Sequence, residues 1–118
     1  MNYSIKKSQI KIFFIGIGGI GMSGIAELML DQGYIILGSD LVNNNNIKRL
    51  KKKGAKIYIG HKKTNIKSVT FTVFSSAIKN DNPEIKRCKE LKIPLLSRAD
   101  ILAELMRFKK CIAVAGSH

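Results

Sequence analysis

The sequence is short of several residue types that mark particular protein classes. Its 118 residues contain no tryptophan, two prolines, two cysteines and eight acidic residues. Cys88 and Cys111 have neither C-x-x-C spacing nor a histidine cluster beside them, which argues against a zinc site or a disulfide framework and favours the reducing cytoplasm. The uncharged stretch Ile12 to Ala26 is shorter than the roughly 18 residues that a membrane span needs, and its glycines argue against the helix of a signal peptide.

Acidic residues are outnumbered by 21 lysines and arginines, which gives a formal net charge of +13. Such an excess suggests nucleic acid or a membrane surface as a partner. Most of the cations are lysines, however, whereas recognition of phosphate and guanine favours arginine. The only arginines are Arg49, Arg87, Arg98 and Arg107. A basic, solvated surface produced by biased codon usage is the simpler interpretation, so we predict neither a nucleic-acid nor a membrane partner.

Short apolar runs alternate along the chain with helical patterns of about ten residues. The strand candidates are IKIFFIG, YIILGSD, AKIYIG, SVTFTVFSSA, IPLLS and CIAVAG. Strands that alternate with helices in this way indicate βαβ units. We therefore predict an α/β fold, namely a Rossmann-like parallel sheet with helices on both faces.

Several residues predict where the helices begin, end and face the core. Asn82 is a candidate N-cap, followed by Pro83 at the first helical position and Glu84 in the first turn. The asparagine run Asn43 to Asn46 should cap the second helix, and Gly33 should end the first. The first helix should have one apolar face, formed by Ile25, Leu28 and Met29.

The first strand runs into GIGGIGMSG, which has the G-x-G-x-x-G spacing of a dinucleotide-binding turn. Gly16 should permit the tight turn, Gly18 the approach of a diphosphate to the backbone, and Gly21 close packing of helix on strand. The helix should begin with outward-pointing backbone amides, those of Gly19, Ile20, Gly21 and Met22. A phosphate is favoured at such a helix N-terminus. The alternative is that these glycines serve only turns and packing.

Three further groups follow predicted strands. Asp40 ends the second strand, where a carboxylate can accept hydrogen bonds from a nucleotide's sugar or base, although an ordinary loop carboxylate also fits. Ser75 to Ala77 end the fourth strand and would let a ligand approach the backbone, or form a simple turn. His61, in a loop, fits a surface position and the edge of a ligand site equally well.

The stretches FIGIGGIGMSGIAELM, GYIILGSD, VFSSAIKNDNPEI and RADILAELMRF, with IAVAGSH after them, occur in this order. Together they resemble the N-terminal part of the Mur ligase family, and most closely the members that add L-alanine to UDP-N-acetylmuramate in peptidoglycan synthesis. The resemblance implies an ATP-dependent ligase with three domains, of which the first binds the UDP of the substrate. ATP phosphorylates the substrate carboxylate, and the amine of L-alanine attacks the resulting acyl phosphate with the help of Mg²⁺.

The resemblance also implies roles for individual residues. Residues 1–108 would form the Rossmann-like UDP-sugar domain, and residues 109–118 the first strand and truncated start of the ATP-binding domain. The UDP-sugar would be held by Gly16, Gly18, Gly19, Ile20, Gly21, Met22, Ser39, Asp40, Ser75, Ser76 and Arg98. The incomplete ATP loop would be Gly116, Ser117 and His118, with serine where the family has threonine. No catalytic residue or metal ligand is predicted in this chain.

The printed chain ends before the lysine of the family's ATP loop, so we expect it to bind UDP-N-acetylmuramate but to be inactive alone. ATP, Mg²⁺ and L-alanine are expected only with the remaining domains. The competing interpretation is the NAD-binding domain of an oxidoreductase, which has the same glycine spacing and the same acidic residue.

Overall fold

The computed structural model describes residues 6–106, which form one parallel sheet with helices on both faces. The strands are β1 Lys11–Ile15, β2 Ile35–Asp40, β3 Lys56–Ile59, β4 Phe71–Phe74 and β5 Leu95–Ser97. The helices are α1 Ile20–Asp31, α2 Asn45–Lys52, α3 Pro83–Glu90 and α4, of which residues 98–106 are described. All neighbouring strands are parallel, in the order β3-β2-β1-β4-β5. The predicted α/β, Rossmann-like fold class is confirmed.

The central strand β1 explains why the sheet has a core on each face. Because side chains alternate along a strand, Ile12 and Phe14 face one side while Phe13 and Ile15 face the other. All four are fully buried. The first pair packs with residues of α1, α2 and α4, and the second pair packs with α3 and the loop before β4. A continuous apolar run is therefore required here, as in strands buried on both faces.

The helix ends follow the predicted capping chemistry. The Asn82 side chain accepts a hydrogen bond from the amide of Glu84, and Pro83 is the first residue of α3. The Asn44 side chain accepts from the amide of Ile47 and caps α2, so the asparagine run supplies both the cap and the first helical residues. Gly33, just beyond α1, has a φ of +100°, the left-handed conformation expected of a helix C-terminus.

Some details differ from the sequence-based expectations. Only Phe71–Phe74 of the long fourth apolar run is strand, and Leu28 is 46% exposed although Ile25 and Met29 are buried. The 3-10 turns Lys7–Gln9 and Lys63–Asn65 carried no recognisable sequence signal. The predicted sixth strand, CIAVAG, lies outside the described residues, as does the proposed domain boundary. Within residues 6–106, no helix is long and apolar enough to cross a membrane.

Candidate functional site

The strand order brings two loops together at one edge of the sheet. From β1 the chain proceeds to β2 and β3 on one side, and β4 then lies on the other side of β1. The loops after β1 and β4 therefore diverge at the carboxyl edge, which in open α/β sheets is where ligands bind. Ile78, in the loop after β4, lies 3.5 Å from the position that a Cβ atom on Gly16 would occupy. The two predicted ligand-binding loops are thus neighbours.

The turn after β1 is held to the end of β2 by backbone hydrogen bonds. The amides of Gly16 and Ile17 both donate to the carbonyl oxygen of Ser39, at 2.8 and 3.0 Å. Gly16 has a φ of +81°, which is left-handed and favours glycine, so the predicted tight turn is present. The amide of Gly19 donates to the carbonyl oxygen of Gly16 at 3.1 Å and closes the turn.

The amide and the carbonyl oxygen of Gly18 both form hydrogen bonds within the protein. Its amide donates to Asp40 Oδ2 at 2.8 Å, and its carbonyl oxygen accepts from the side-chain amides of Asn44 and Asn46, each at 3.1 Å. A Cβ atom on Gly18 would lie 2.9 Å from Asp40 Oδ2 and 3.0 Å from Ile47 Cδ1. Contacts within the protein therefore already disfavour a side chain at Gly18, and the approach of a diphosphate to this residue stays a prediction.

Three backbone amides of the first turn of α1 remain available to a ligand. Among the described residues, nothing accepts a hydrogen bond from the amides of Ile20, Gly21 or Met22, because these are the first three residues of the helix. The amides of Gly18 and Gly19 are hydrogen-bonded within the protein. Gly19 was predicted to present its amide to a ligand, so three of the four predicted amides remain. The positive end of the helix dipole adds to the attraction that the three amides exert on an anion.

Arg98 completes this anion-binding arrangement from another part of the chain. A Cβ atom on Gly21 would lie 2.8 Å from Cζ of Arg98, so the guanidinium group occupies the space that the glycine leaves. The three atoms nearest to that position belong to Arg98, and the role of Gly21 in helix-strand packing stays a prediction. Arg98 is the first residue of α4, directly after β5, and its cationic group stands beside the open amides of α1. The structure brings together two features that lie 77 residues apart in the sequence.

Gly38, which the sequence analysis did not single out, allows β1 and the turn after it to pack closely against β2. A Cβ atom at this position in β2 would lie 2.8 Å from both Cβ of Ile17 and the carbonyl oxygen of Phe14. Ile17 is fully buried against this glycine. The signal was a glycine inside a strand, which often marks a close approach of another segment.

Asp40 and the two serines lie at the same edge. Asp40 is half-buried, and its Oδ1 also accepts from the amide of Leu41 at 2.7 Å. Oδ1 also accepts from the amide of Val42 at 3.5 Å, whereas Oδ2 keeps a second lone pair, so Asp40 can hold the glycine loop and still accept a hydrogen bond from a ligand. Ser75 is half-buried and Ser76 is exposed in the turn after β4, beside the glycine loop.

Ser39, predicted to face the uridine, is fully buried instead. It belongs to a cluster of four polar side chains beneath the carboxyl edge, and direct contact with a ligand is not available in this arrangement. The cluster, termed the Glu84 cluster here, consists of Ser39, His61, Asn65 and Glu84. The sequence analysis considered His61 and Glu84 separately, because the four residues of the cluster lie on three segments that no spacing in the sequence connects.

Two further features concern possible metal ligands and the thiol of Cys88. Within the part of the chain that the structure describes, no three His, Cys, Asp or Glu side chains are placed to share a metal ion. Burial raises the pKa of Cys88, whose Sγ atom lies 3.2 Å from Oγ1 of Thr72, so this thiol stays protonated near neutral pH. The predicted ATP-loop residues Gly116, Ser117 and His118 lie outside residues 6–106.

The fold is that of a Rossmann-like α/β domain, with three unpaired helix amides and an arginine side chain at its carboxyl edge. The model of the Mur ligase family, catalytic domain, matches residues 11–110, and the chain belongs to that family. Among curated relatives, UDP-N-acetylmuramate--L-alanine ligase of Sulfurihydrogenibium sp. (strain YO3AOP1) is 59% identical over 108 residues, and that of Rickettsia typhi is 60% identical over 107 residues. These alignments cover 92% and 91% of this chain but 24% and 22% of the relatives, so the chain spans about a quarter of their length.

Solved structures agree with this assignment. A UDP-N-acetylmuramate-alanine ligase of Thermotoga maritima superposes with a TM-score of 0.83 and 31% identity over 86% of this chain and 24% of that one. UDP-N-acetylmuramate:L-alanyl-gamma-D-glutamyl-meso-diaminopimelate ligase from Neisseria meningitides shares the fold, with a TM-score of 0.74 and 23% identity over 80% of this chain and 30% of that one.

Proposed function

We propose that the described residues form the UDP-N-acetylmuramate-binding part of an ATP-dependent ligase that adds L-alanine to this substrate in peptidoglycan synthesis. The relatives that support the proposal are named for that substrate and that amino acid. Binding of the UDP-sugar, and not amide formation, is the activity that we assign to residues 6–106. ATP, Mg²⁺ and L-alanine belong to the whole ligase, which we propose to act in the cytoplasm.

The observation that carries the proposal is the corner between α1 and α4. The unpaired amides of Ile20, Gly21 and Met22 lie in the first turn of α1, and the guanidinium of Arg98 lies over Gly21 in the same turn. A diphosphate needs several donors and positive charge, and both are present without any rearrangement of the backbone. The Gly18 and Gly19 amides support the site indirectly, by holding the turn in shape.

Other residues at the same edge of the sheet would bind the remaining parts of the substrate. Asp40 lies on the β2 side of the glycine loop and would accept hydrogen bonds from the uridine hydroxyls, as an acidic residue at this strand end does for a ribose. Ser75 and Ser76 lie on the β4 side and would flank the sugar. Gly116, Ser117 and His118 remain proposed parts of an ATP loop, and the boundary between residues 108 and 109 remains a proposed domain boundary.

Calorimetric titration tests the proposal. The chain should bind UDP-N-acetylmuramate, and UDP should compete because it carries the diphosphate and the uridine. NAD is the matched competitor, since a Rossmann-like oxidoreductase domain would hold its diphosphate at the same turn. Saturable binding of NAD together with no heat from UDP-N-acetylmuramate or UDP would refute the proposal. A short RNA should bind only through charge, with an affinity that falls steeply with salt and without competition from UDP.

A further inference from the structure

Glu84 is a fully buried carboxylate with three polar partners. Its Oε1 atom lies 2.6 Å from Ser39 Oγ and 2.9 Å from His61 Nδ1, and its Oε2 atom lies 2.8 Å from Asn65 Nδ2. Burying a carboxylate is costly unless donors surround it. Glu84 also lies in the first turn of α3, where the helix dipole favours an anion.

Counting hydrogens in this cluster defines the state of His61. The Ser39 hydroxyl donates its only hydrogen to Glu84, so towards His61 the Ser39 oxygen can only accept. Nδ1 of His61 therefore faces two acceptors, Glu84 Oε1 at 2.9 Å and Ser39 Oγ at 2.8 Å. Asn65 uses its amide hydrogens for Glu84 Oε2 and the carbonyl oxygen of Gly60. Hence Nδ1 must carry a proton, and a neutral His61 ring has its lone pair on Nε2.

The cluster lies directly behind the proposed nucleotide site. Ser39 precedes Asp40, whose carboxylate holds the amide of Gly18, and the carbonyl oxygen of Asp40 accepts from the amide of Gly60 at 2.7 Å. His61 follows Gly60. The Glu84 carboxylate thus connects the ends of β2 and β3 with the start of α3. Asp40, which holds the glycine loop, lies next to Ser39 and is hydrogen-bonded to Gly60, so it lies between the two strand ends that Glu84 connects.

The exposed part of the His61 ring points away from the cluster. The side chain is 13% exposed. Among the described residues, Nε2 has no hydrogen-bond partner, and no buried side-chain nitrogen or oxygen atom is unpaired. Nε2 is therefore at the surface, at the carboxyl end of β3, as an acceptor when the ring is neutral.

We infer that Glu84 is a positioning residue of the proposed nucleotide site: its carboxylate holds the ends of β2 and β3 in register with the glycine loop and fixes His61 with its proton on Nδ1. This inference rests on the proposed function. Glu84 acts through Ser39 on Asp40 and through His61 on the loop after β3, and it does not itself contact the ligand.

The decisive variant is Glu84→Gln, which keeps the shape but replaces one acceptor oxygen with a donor. Glutamine cannot accept hydrogens from Asn65 on one side and from Ser39 and His61 on the other. Its amide group either opposes the Asn65 donor or faces His61, which then loses the acceptor that keeps its proton on Nδ1. Glu90→Gln is the matched control, because Glu90 lies on the same helix but is exposed and pairs only with Arg87.

Two readouts are needed. Long-range ¹H–¹⁵N NMR of the two histidines, assigned with a His118→Gln variant, reports which ring nitrogen of His61 carries the proton, whether or not a nucleotide binds. The native chain and Glu90→Gln should show the Nδ1–H form, and Glu84→Gln should lose it. Titration with UDP should show roughly a tenfold weaker affinity for Glu84→Gln, because a group that supports the binding residues from behind is lost, and no change for Glu90→Gln.

The outcomes distinguish a failure of the inference about Glu84 from a failure of the proposed function. An Nε2–H form in the native chain, or native UDP affinity in a folded Glu84→Gln variant, would overturn the inference about Glu84. No UDP binding by the native chain would instead refute the proposed function. If Glu84→Gln does not fold, Ser39→Ala removes the hydrogen bonds of β2 to Glu84 and His61 and leaves Glu84 paired with His61 and Asn65. It should weaken UDP binding severalfold, and native affinity in that variant would also overturn the inference.

Discussion

Arg98→Ala is the sharpest test of the anion-binding corner, because it removes the cation and leaves the three amides of α1 in place. The guanidinium occupies the space over Gly21 and is held there by the start of α4. A charge-assisted hydrogen bond contributes about 1.5–3 kcal/mol, and an exposed ion pair contributes less, about 0.2–1 kcal/mol. Arg98 is exposed but approaches the positive end of a helix, so we expect a loss of about 1–2 kcal/mol, which is roughly a 5- to 30-fold rise in the Kd for UDP.

The assay is calorimetric titration with UDP at two salt concentrations. The difference between the native chain and Arg98→Ala should shrink as salt rises, because an exposed charge is screened over about 10 Å at 0.1 M ionic strength. Arg98→Lys should recover only part of the affinity, since lysine lacks the planar pair of donors.

Arg87→Ala is the matched control, since it removes the same charge from α3, where Arg87 pairs with Glu90. It should leave the Kd for UDP within about twofold of the native value, as expected for a distant surface charge. An Arg98→Ala variant that binds UDP like the native chain would contradict the placement of the diphosphate. Equal losses in both variants would show that only net charge matters.

Three further substitutions test the surrounding structure. Gly38→Ala should destabilise the fold by about 1–3 kcal/mol in urea unfolding, because the new Cβ atom would lie 2.8 Å from the carbonyl oxygen of Phe14, and native stability would disprove the close approach. Asn44→Ala should lower the free energy of unfolding by about 1–2 kcal/mol, because it loses both the α2 cap and the hydrogen bond to the Gly18 carbonyl oxygen, whereas Asn44→Asp should retain the cap alone. The amide and hydroxyl of Ser97 lower the pKa of Asp100 below its usual 3.8. The ionised Asp100 carboxylate therefore stabilises the fold above pH 3.8, and this stabilisation is lost as the pH falls through the lower pKa of the folded chain. Asp100→Asn should flatten the fall in Tm between pH 5 and pH 2, and an unchanged profile would exclude this contribution.

Local sequence signals were enough to predict the order and kind of most elements. The apolar run of β1 had to be a buried strand, Asn82 and Pro83 had to start a helix, and Gly16 had to turn, because each depends on contacts within a few residues. The glycine spacing followed by Asp40 also predicted that these residues lie together at the carboxyl edge of the sheet, as they do in the structure. These features are determined by backbone sterics and short-range hydrogen bonding, which the sequence carries directly.

Contacts between distant segments were decided only by the tertiary structure. The sheet order places Arg98 over Gly21 and packs Ile17 and Phe14 against Gly38, although neither relation has a characteristic spacing in the sequence. Likewise, burial turns Ser39 away from the ligand and towards Glu84, whose environment is assembled from the ends of two strands and the start of a helix. A residue type and its neighbours in sequence define which hydrogen bonds are chemically possible. Which of them form depends on the desolvation and proximity that packing alone creates.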